Sequence, residues 1–267
     1  MQELKKRIIV LMIVLVLIFT VCGCNRPVTS EKFTESYLLR SGTVIDIYNQ
    51  NGSVTITGWD QQKVEITVYK ESYHGQEAIN QVDIYIDIAD KMFIQTVYPN
   101  HDPRVTVNYE IKVPEDIMVG IIECSNGNIN VSNVIGNPVV STSNGSVTIN
   151  NINGIVSARS SNGNLVVTGA KSLGNLKTSN GNIEAELALL HENLDIRTSN
   201  GSIDLAISAT LAADLEVKTS NGKISISNLN IDSAKFEQTS LLGSMNDGGY
   251  KITITTSNGS VNLMALK

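Results

Sequence analysis

The sequence predicts an all-β fold: a single-stranded, right-handed parallel β-helix, or β-solenoid, with about 18–21 residues per coil. Three observations predict it. The tripeptide Ser-Asn-Gly recurs at 125–127, 143–145, 161–163, 179–181, 199–201, 220–222 and 257–259, in steps of 18, 18, 18, 20, 21 and 37 residues. A fixed period carrying the same turn marks a repeat architecture. Apolar residues also keep constant offsets from each Asn, and no stretch rich in Pro, Gly and Ser divides the chain.

The offsets define the strands. Three and five residues after Asn stand Ile129/Val131, Val147/Ile149, Leu165/Val167, Ile183/Ala185, Ile203/Leu205, Ile224/Ile226 and Val261/Leu263. Four residues before Asn stand Ile122, Val140, Ala158, Leu176, Ile196, Val217 and Ile254. Alternation on both sides of a turn marks two half-buried strands. Two residues before Asn the side chain is small (Cys124, Thr142, Ser160, Thr178, Thr198, Thr219, Thr256), which suits the inside of a bend. Gln50-Asn51-Gly52 opens the series, with Val54/Ile56 after it and Ile47 before it. Thr239-Ser240-Leu241-Leu242-Gly243 reads as a worn copy that divides the step of 37.

Asn and Gly both tolerate positive φ. The pair fits the tight turn of a hairpin or one corner of a coil, where identical Asn side chains stack and hydrogen-bond from rung to rung. A hairpin meander needs a second turn per period. The segments at 133–138, 151–154 and 169–174 share less than the first corner does, which favours parallel coils. The expected turn ladder is Asn51, Gly52, Asn126, Gly127, Asn144, Gly145, Asn162, Gly163, Asn180, Gly181, Asn200, Gly201, Asn221, Gly222, Asn258 and Gly259.

In chain order, residues 1–23 read as a signal peptide. Lys5, Lys6 and Arg7 precede an apolar run from Ile8 to Thr20 that is short for a membrane span. Val21-Cys22-Gly23-Cys24 resembles the bacterial lipobox, which makes Cys24 the lipidated first residue of the mature protein. Residues 24–40 are then a lipidated tether and N-terminal cap. Residues 41–267 form the solenoid, with irregular coils over 41–114 and regular repeats over 115–267. Alternating strands are expected at 63–70, 82–88, 91–97 and 105–113, with a turn or two of helix near Gln76–Ile79. About ten coils, stacked at the strand spacing, make a rod of roughly 50 Å.

Composition narrows function. Without residues 1–23 the chain carries 17 basic and 25 acidic residues, a net charge of −8. That balance excludes nucleic acid as a partner, since phosphates demand a basic face. Cys124 alone remains of the three cysteines once Cys22 and Cys24 are assigned, so no disulfide framework is expected. His74, His101 and His191 share no metal-ligand spacing. There is no Gly-x-Ser-x-Gly and no Walker loop. No catalytic residue, metal or cofactor is therefore expected.

Three surfaces stand out. Three residues before Asn an outward basic row runs Arg159, Lys177, Arg197, Lys218, with Asp195 and Glu216 beside it. It is either a solvated mixed-charge ladder or a track for an anionic envelope polymer such as a teichoic acid. Ten of the 13 aromatic residues lie between Phe33 and Tyr109. They either fill wider coils or offer a stacking surface for sugars or a partner, with Trp59, Tyr73 and Tyr98 as candidates. A third surface is the C-terminal end. The chain stops directly after a strand, and an uncovered last coil offers self-association.

The lipobox, the Val-Pro-Glu-Asp step at 113–116 and the tandem Ser-Asn-Gly-x-(Ile/Val)-x-(Val/Ile) units together resemble the bacterial "putative adhesin" domain of unknown function, a β-strand-repeat lipoprotein family. The resemblance covers roughly residues 40–267. It implies a β-helix-like solenoid at the cell surface, anchored to the membrane by lipid, and a link to envelope stress. It carries over no catalytic residue. The expected function is non-enzymatic binding or adhesion to an envelope polymer or an envelope protein. The alternatives are a self-assembling structural module and a carbohydrate-active β-helix enzyme.

Overall fold

A computed structural model describes residues 28–99 and 104–266. The expected signal peptide and the expected lipidation site at Cys24 lie outside the described residues.

The regular region is a stack of coils. It is preceded by the N-terminal elements β1 (Thr29–Tyr37), β2 (Val44–Asn51), β3 (Val54–Trp59), β4 (Val64–Ser72), α1 (Gln76–Ile79), β5 (Asp83–Ile88), β6 (Met92–Val97) and β7 (Thr106–Pro114), which cap and begin the stack. The stack proper follows: β8 (Met118–Asn126), β9 (Ile129–Ile135), β10 (Val139–Asn144), β11 (Val147–Asn162), β12 (Leu165–Lys177), β13 (Ile183–Leu187), β14 (Leu194–Asn200) and β15 (Ile203–Ile207). The C-terminal elements are β16 (Ala213–Asn221), β17 (Ile224–Ser227), β18 (Asp232–Glu237), β19 (Ser240–Met245), β20 (Tyr250–Asn258) and β21 (Val261–Ala265).

Strands before the Asn corner form one wall and strands after it a second. Both walls are parallel through the repeats: β8, β10 and β11 pair with Asn126, Asn144 and Asn162 in register. Val147 pairs with Ile129 and Leu165 in the second wall. Parallel pairing decides for coils against the hairpin meander. The apolar rows at four before and three and five after Asn face inward. Ile122, Ile129, Val147, Ile149, Leu165, Leu176, Ile183, Ile196 and Ile203 are fully buried. Each such side chain contributes about 1.5–3 kcal/mol on burial, but only because a neighbouring coil covers it.

The coil bends a second time seven residues after Asn. Asn133, Asn151 and Asn228 adopt φ of 56°, 53° and 57°, and Gly169 takes 62° at the same offset. Asn151 Nδ2 donates to Asn133 Oδ1 at 2.8 Å, a short second ladder. The segments from 133, 151 and 169 share less sequence than the first corner, but each begins with Asn or Gly at the same offset, and that residue makes the bend.

The order of the coils departs from the order of the chain at both ends. At the C-terminal end the β20–β21 coil lies between β14–β15 and β16–β17: Asn258 pairs with Asn200 on one side and Asn221 on the other. Val261 likewise pairs with Ile203 and Ile224. The chain skips one rung after Ile207, builds the outermost coil, and returns to fill the gap. Residues 239–243 are therefore no worn coil. They belong to an antiparallel hairpin, β18–β19, that covers β16. The expectation of an open last coil is corrected for the same reason: β21 is paired on both edges, and the basis for self-association through it is gone.

The N-terminal end mirrors this. β2 lies between β6 and β8, and β3 between β7 and β9. Region 41–114 is thus not a run of coils alone. It holds two rungs and an antiparallel cap in which β5 pairs β6 and β4 pairs β7, and β1, from before the region, pairs β4. The aromatic residues of this half are shared between the cap strands and the rung β2–β3, which carries Tyr48 and Trp59. Thr96 Oγ1 donates to Asn49 Oδ1 at 2.9 Å and lies 2.6 Å from the buried Tyr109 hydroxyl. Each polar group inside the first rung is thereby paired.

Candidate functional site

The Asn corner is the most regular feature of the surface. Asn144, Asn162, Asn180 and Asn200 each donate through Nδ2 to the Oδ1 of the preceding Asn, at 2.8–2.9 Å. The ladder continues from Asn258 to Asn200 and from Asn221 to Asn258, following the crossed rung order. Asn51 is in register with Asn126, but its side chain turns to the Val105 carbonyl.

Gly follows Asn because the corners touch. A Cβ on Gly127, Gly145, Gly163, Gly181, Gly201, Gly222 or Gly259 would stand 1.9–2.2 Å from the carbonyl oxygen of the neighbouring corner Gly. On Gly52 it would stand 2.1 Å from the Val107 carbonyl oxygen. The small residue two before Asn has a further role that size alone did not reveal. Thr142, Ser160, Thr178, Thr198, Thr256 and Thr219 each donate their hydroxyl to the Gly carbonyl of the adjacent rung, at 2.7–3.1 Å. Cys124 fills the same slot, its thiol 3.2 Å from the Gly52 carbonyl. Burial pushes that thiol up to about 11, which removes the thiolate that reactivity needs. The turn ladder is thus a structural spine.

The basic row lies on the outer face of the first wall, in the expected register: Arg159 beside Lys177, Lys177 beside Arg197. Thr255 then separates Arg197 from Lys218. Three of the four cations are ion-paired on the same face. Lys177 lies 3.0 Å from Asp195, which also binds Arg197. Lys218 pairs with Glu216, which also binds Lys251. The two lysines hold the Glu216 carboxyl down at about 2. Among the described residues, Arg159 has no such partner and is exposed.

Arg159 opens onto a shallow groove. One depression of about 340 Å³ is lined by Tyr48, Glu123, Ser141 and Arg159, among others. A second, of about 270 Å³, shares Tyr48 and continues to Gln95 and Tyr98. Tyr48 stacks on Phe93 at 5.0 Å between ring centroids, and Tyr85 meets Phe93 edge-on at 6.3 Å. Of the three aromatic residues singled out in the sequence, two are engaged within the fold. The Trp59 indole donates to the Lys63 carbonyl and is covered by Lys63 and Lys112. The Tyr98 hydroxyl donates to the Asn51 carbonyl. Tyr73 is exposed, away from the groove. Tyr48 escaped notice because its neighbours, Gln95 and Glu123, come from strands far apart in sequence.

Two residues before Tyr48, Asp46 is 2% exposed. It accepts from the Ile121 amide at 2.8 Å and from Lys91, and a Cβ on Gly120 would strike it. This carboxylate bridges the register shift between β2 and β8. It is a structural acid with its partners in place.

A family model described as Toastrack DUF4097 matches residues 42–264. No curated protein matches the chain. Among solved structures, a "putative cell adhesion protein" from Clostridium sporogenes is 10% identical, with a TM-score of 0.37, over 88% of this chain and 100% of that one. A "putative adhesin" from Bacteroides fragilis is 12% identical, with a TM-score of 0.40, over 88% and 97%. One of the same description from Parabacteroides distasonis is 13% identical, with a TM-score of 0.33, over 90% and 98%. At these scores the likenesses carry no weight beyond the family match.

Proposed function

The chain belongs to the Toastrack DUF4097 family, and we propose that it is a non-enzymatic envelope protein, held outside the cytoplasm by a lipid on Cys24, that binds an extended polymer or a protein partner of the envelope. One observation carries this reading. The outer face of the first wall is a ruled surface, on which side chains three residues before Asn repeat once per rung on a hydrogen-bonded frame. A frame of this kind suits a ligand that is itself extended. In the version of this reading linked to envelope stress, the partner is an envelope protein.

The test is retention of isolated envelopes by the full-length protein, extracted in detergent, at low and high salt. Retention supports the reading, and loss of binding after charge reversal at Arg159, Lys177, Arg197 and Lys218 assigns it to the basic row. Absence of retention at either salt concentration contradicts it. Labelling of Cys24 with a fatty-acid analogue, abolished by Cys24→Ala, tests the anchor.

A further inference from the structure

We infer that the groove around Tyr48 is a glycan-binding site, whose ligand is a neutral, linear oligosaccharide lying along the solenoid axis. The inference rests on the binding role proposed above and deepens it by moving the site from the charged row to the groove.

Register makes the groove continuous. Tyr85, Gln95, Tyr48, Glu123, Ser141 and Arg159 occupy one outward row on six consecutive strands. At the strand spacing, that row is about 24 Å long, enough for a saccharide of several rings. Its chemistry has two parts. Tyr48, Phe93 and Tyr85 form an open aromatic cluster, with Tyr85 53% exposed. An aromatic face packs against the apolar C–H face of a sugar ring while leaving its hydroxyls free. Beside the cluster stand hydroxyl, amide, carboxylate and guanidinium groups that supply both donors and acceptors. Among the described residues, Gln95, Glu123, Ser141 and Arg159 make no side-chain hydrogen bond or ion pair. Further along the same row Lys177, Arg197 and Lys218 are all ion-paired. The polar groups are free where the aromatics are, and occupied where they are not.

Charge selects the ligand class. Glu123 and Arg159 balance within the groove, and the chain as a whole is acidic. Asp87, in register with Phe93, adds a negative charge beside the cluster, so a polyanion is disfavoured here, whereas a neutral sugar chain meets donors and acceptors of both kinds.

The experiment measures calorimetric binding of full-length protein in detergent to cellohexaose and chitohexaose, with polygalacturonate as the polyanionic probe. The expected result is binding of a neutral hexasaccharide that changes little between low and high salt. Tyr48→Ala weakens it by about tenfold or more, a loss of about 1.4 kcal/mol. Tyr48→Phe retains it. Arg159→Ala, at an exposed position that leaves the fold intact, weakens it severalfold. Lys177→Glu and Lys218→Glu leave it unchanged. Failure of both neutral probes to bind overturns the inference. So does binding of polygalacturonate alone, lost on reversal of Lys177 and Lys218; that outcome preserves the general binding role and places it on the charged row. Envelope retention that survives Tyr48→Ala and is abolished by protease treatment of the envelope also overturns it, in favour of a protein partner.

Discussion

Between Asn126 and Asn200 the coils stack in the order in which the chain is made, while at both ends they do not. In the middle every rung solves the same problem with the same residues. Asn bonds to Asn, a hydroxyl bonds to the Gly carbonyl, and Gly allows the corners to touch. At the ends a terminal coil is threaded inside the stack and an antiparallel hairpin lies outside it. An uncapped parallel stack ends in unpaired N–H and C=O groups that recruit other chains. Threading removes the terminal coils from the edge, and the hairpins shorten what edge remains. The middle therefore owes its stability to repetition, and the ends owe theirs to particular side chains such as Leu241, Asp46 and the Asn49–Thr96–Tyr109 cluster.

That contrast can be broken in graded steps. The largest effect is expected from Gly163→Ala. Its Cβ would lie 1.9 Å from the Gly145 carbonyl oxygen, against backbone of the adjacent rung, so the rungs must part. A loss of about 3 kcal/mol or more is expected in chemical unfolding, and equivalent substitutions at Gly145 or Gly181 should cost about the same. At the C-terminal cap, Leu241→Ala removes a fully buried side chain from β19. It should cost about 3 kcal/mol and, unlike the glycine changes, expose the end strands, which size-exclusion chromatography would show as association.

Smaller effects sharpen the roles within one corner. Thr178→Val keeps the shape and removes the donor to the Gly163 carbonyl. The half-buried acceptor left behind should cost about 1 kcal/mol. Cys124→Thr runs the other way, replacing a weak thiol donor by the hydroxyl used elsewhere, and a gain of about 0.5 kcal/mol in the unfolding midpoint analysis is expected. Asn162→Ala breaks two side-chain bonds of the ladder at the water-facing surface and should cost about 1 kcal/mol.

The smallest effect is electrostatic. The folded-state pKa of Glu216 is depressed to about 2 by Lys218 and Lys251. Its contribution is therefore present above the unfolded carboxylate value of about 4.3 and disappears as pH falls through about 2. Comparing wild type with Glu216→Gln by thermal melts across that interval should show a small difference that fades on acidification and in high salt, because these ion pairs are open to water.

Much of this was legible in the sequence. The inward rows, the Asn-Gly corner and the parallel stacking follow from offsets that hold at every repeat. What the offsets leave open is which rung lies beside which. An inward Ile and a corner Asn fit any neighbour equally well, so periodicity is silent on rung order. The 37-residue step held the clue, and a worn copy at 239–243 was the wrong account of it. The long step accommodates a cap and a return, as the step from Asn51 to Asn126 does at the other end. The groove was hidden for the same reason. Glu123 and Gln95 reach Tyr48 only because β2 is threaded between β6 and β8. The basic row was legible as a row, but Thr255 interrupts it and acids occupy three of its four cations.

The most direct test of the threaded stack is disulfide trapping on the outer face of the C-terminal end. Thr255 lies in register with both Arg197 and Lys218, one rung away on either side. Arg197 and Lys218 are two rungs apart, about 9.6 Å, beyond the Cα separation that a disulfide spans. Paired cysteines would be introduced, oxidised and mapped by peptide mass spectrometry. The threaded order predicts bonds in Arg197→Cys/Thr255→Cys and in Lys218→Cys/Thr255→Cys, and none in Arg197→Cys/Lys218→Cys. An efficient bond in the last pair, with none between residues 197 and 255, would show coils stacked in chain order and would contradict the account.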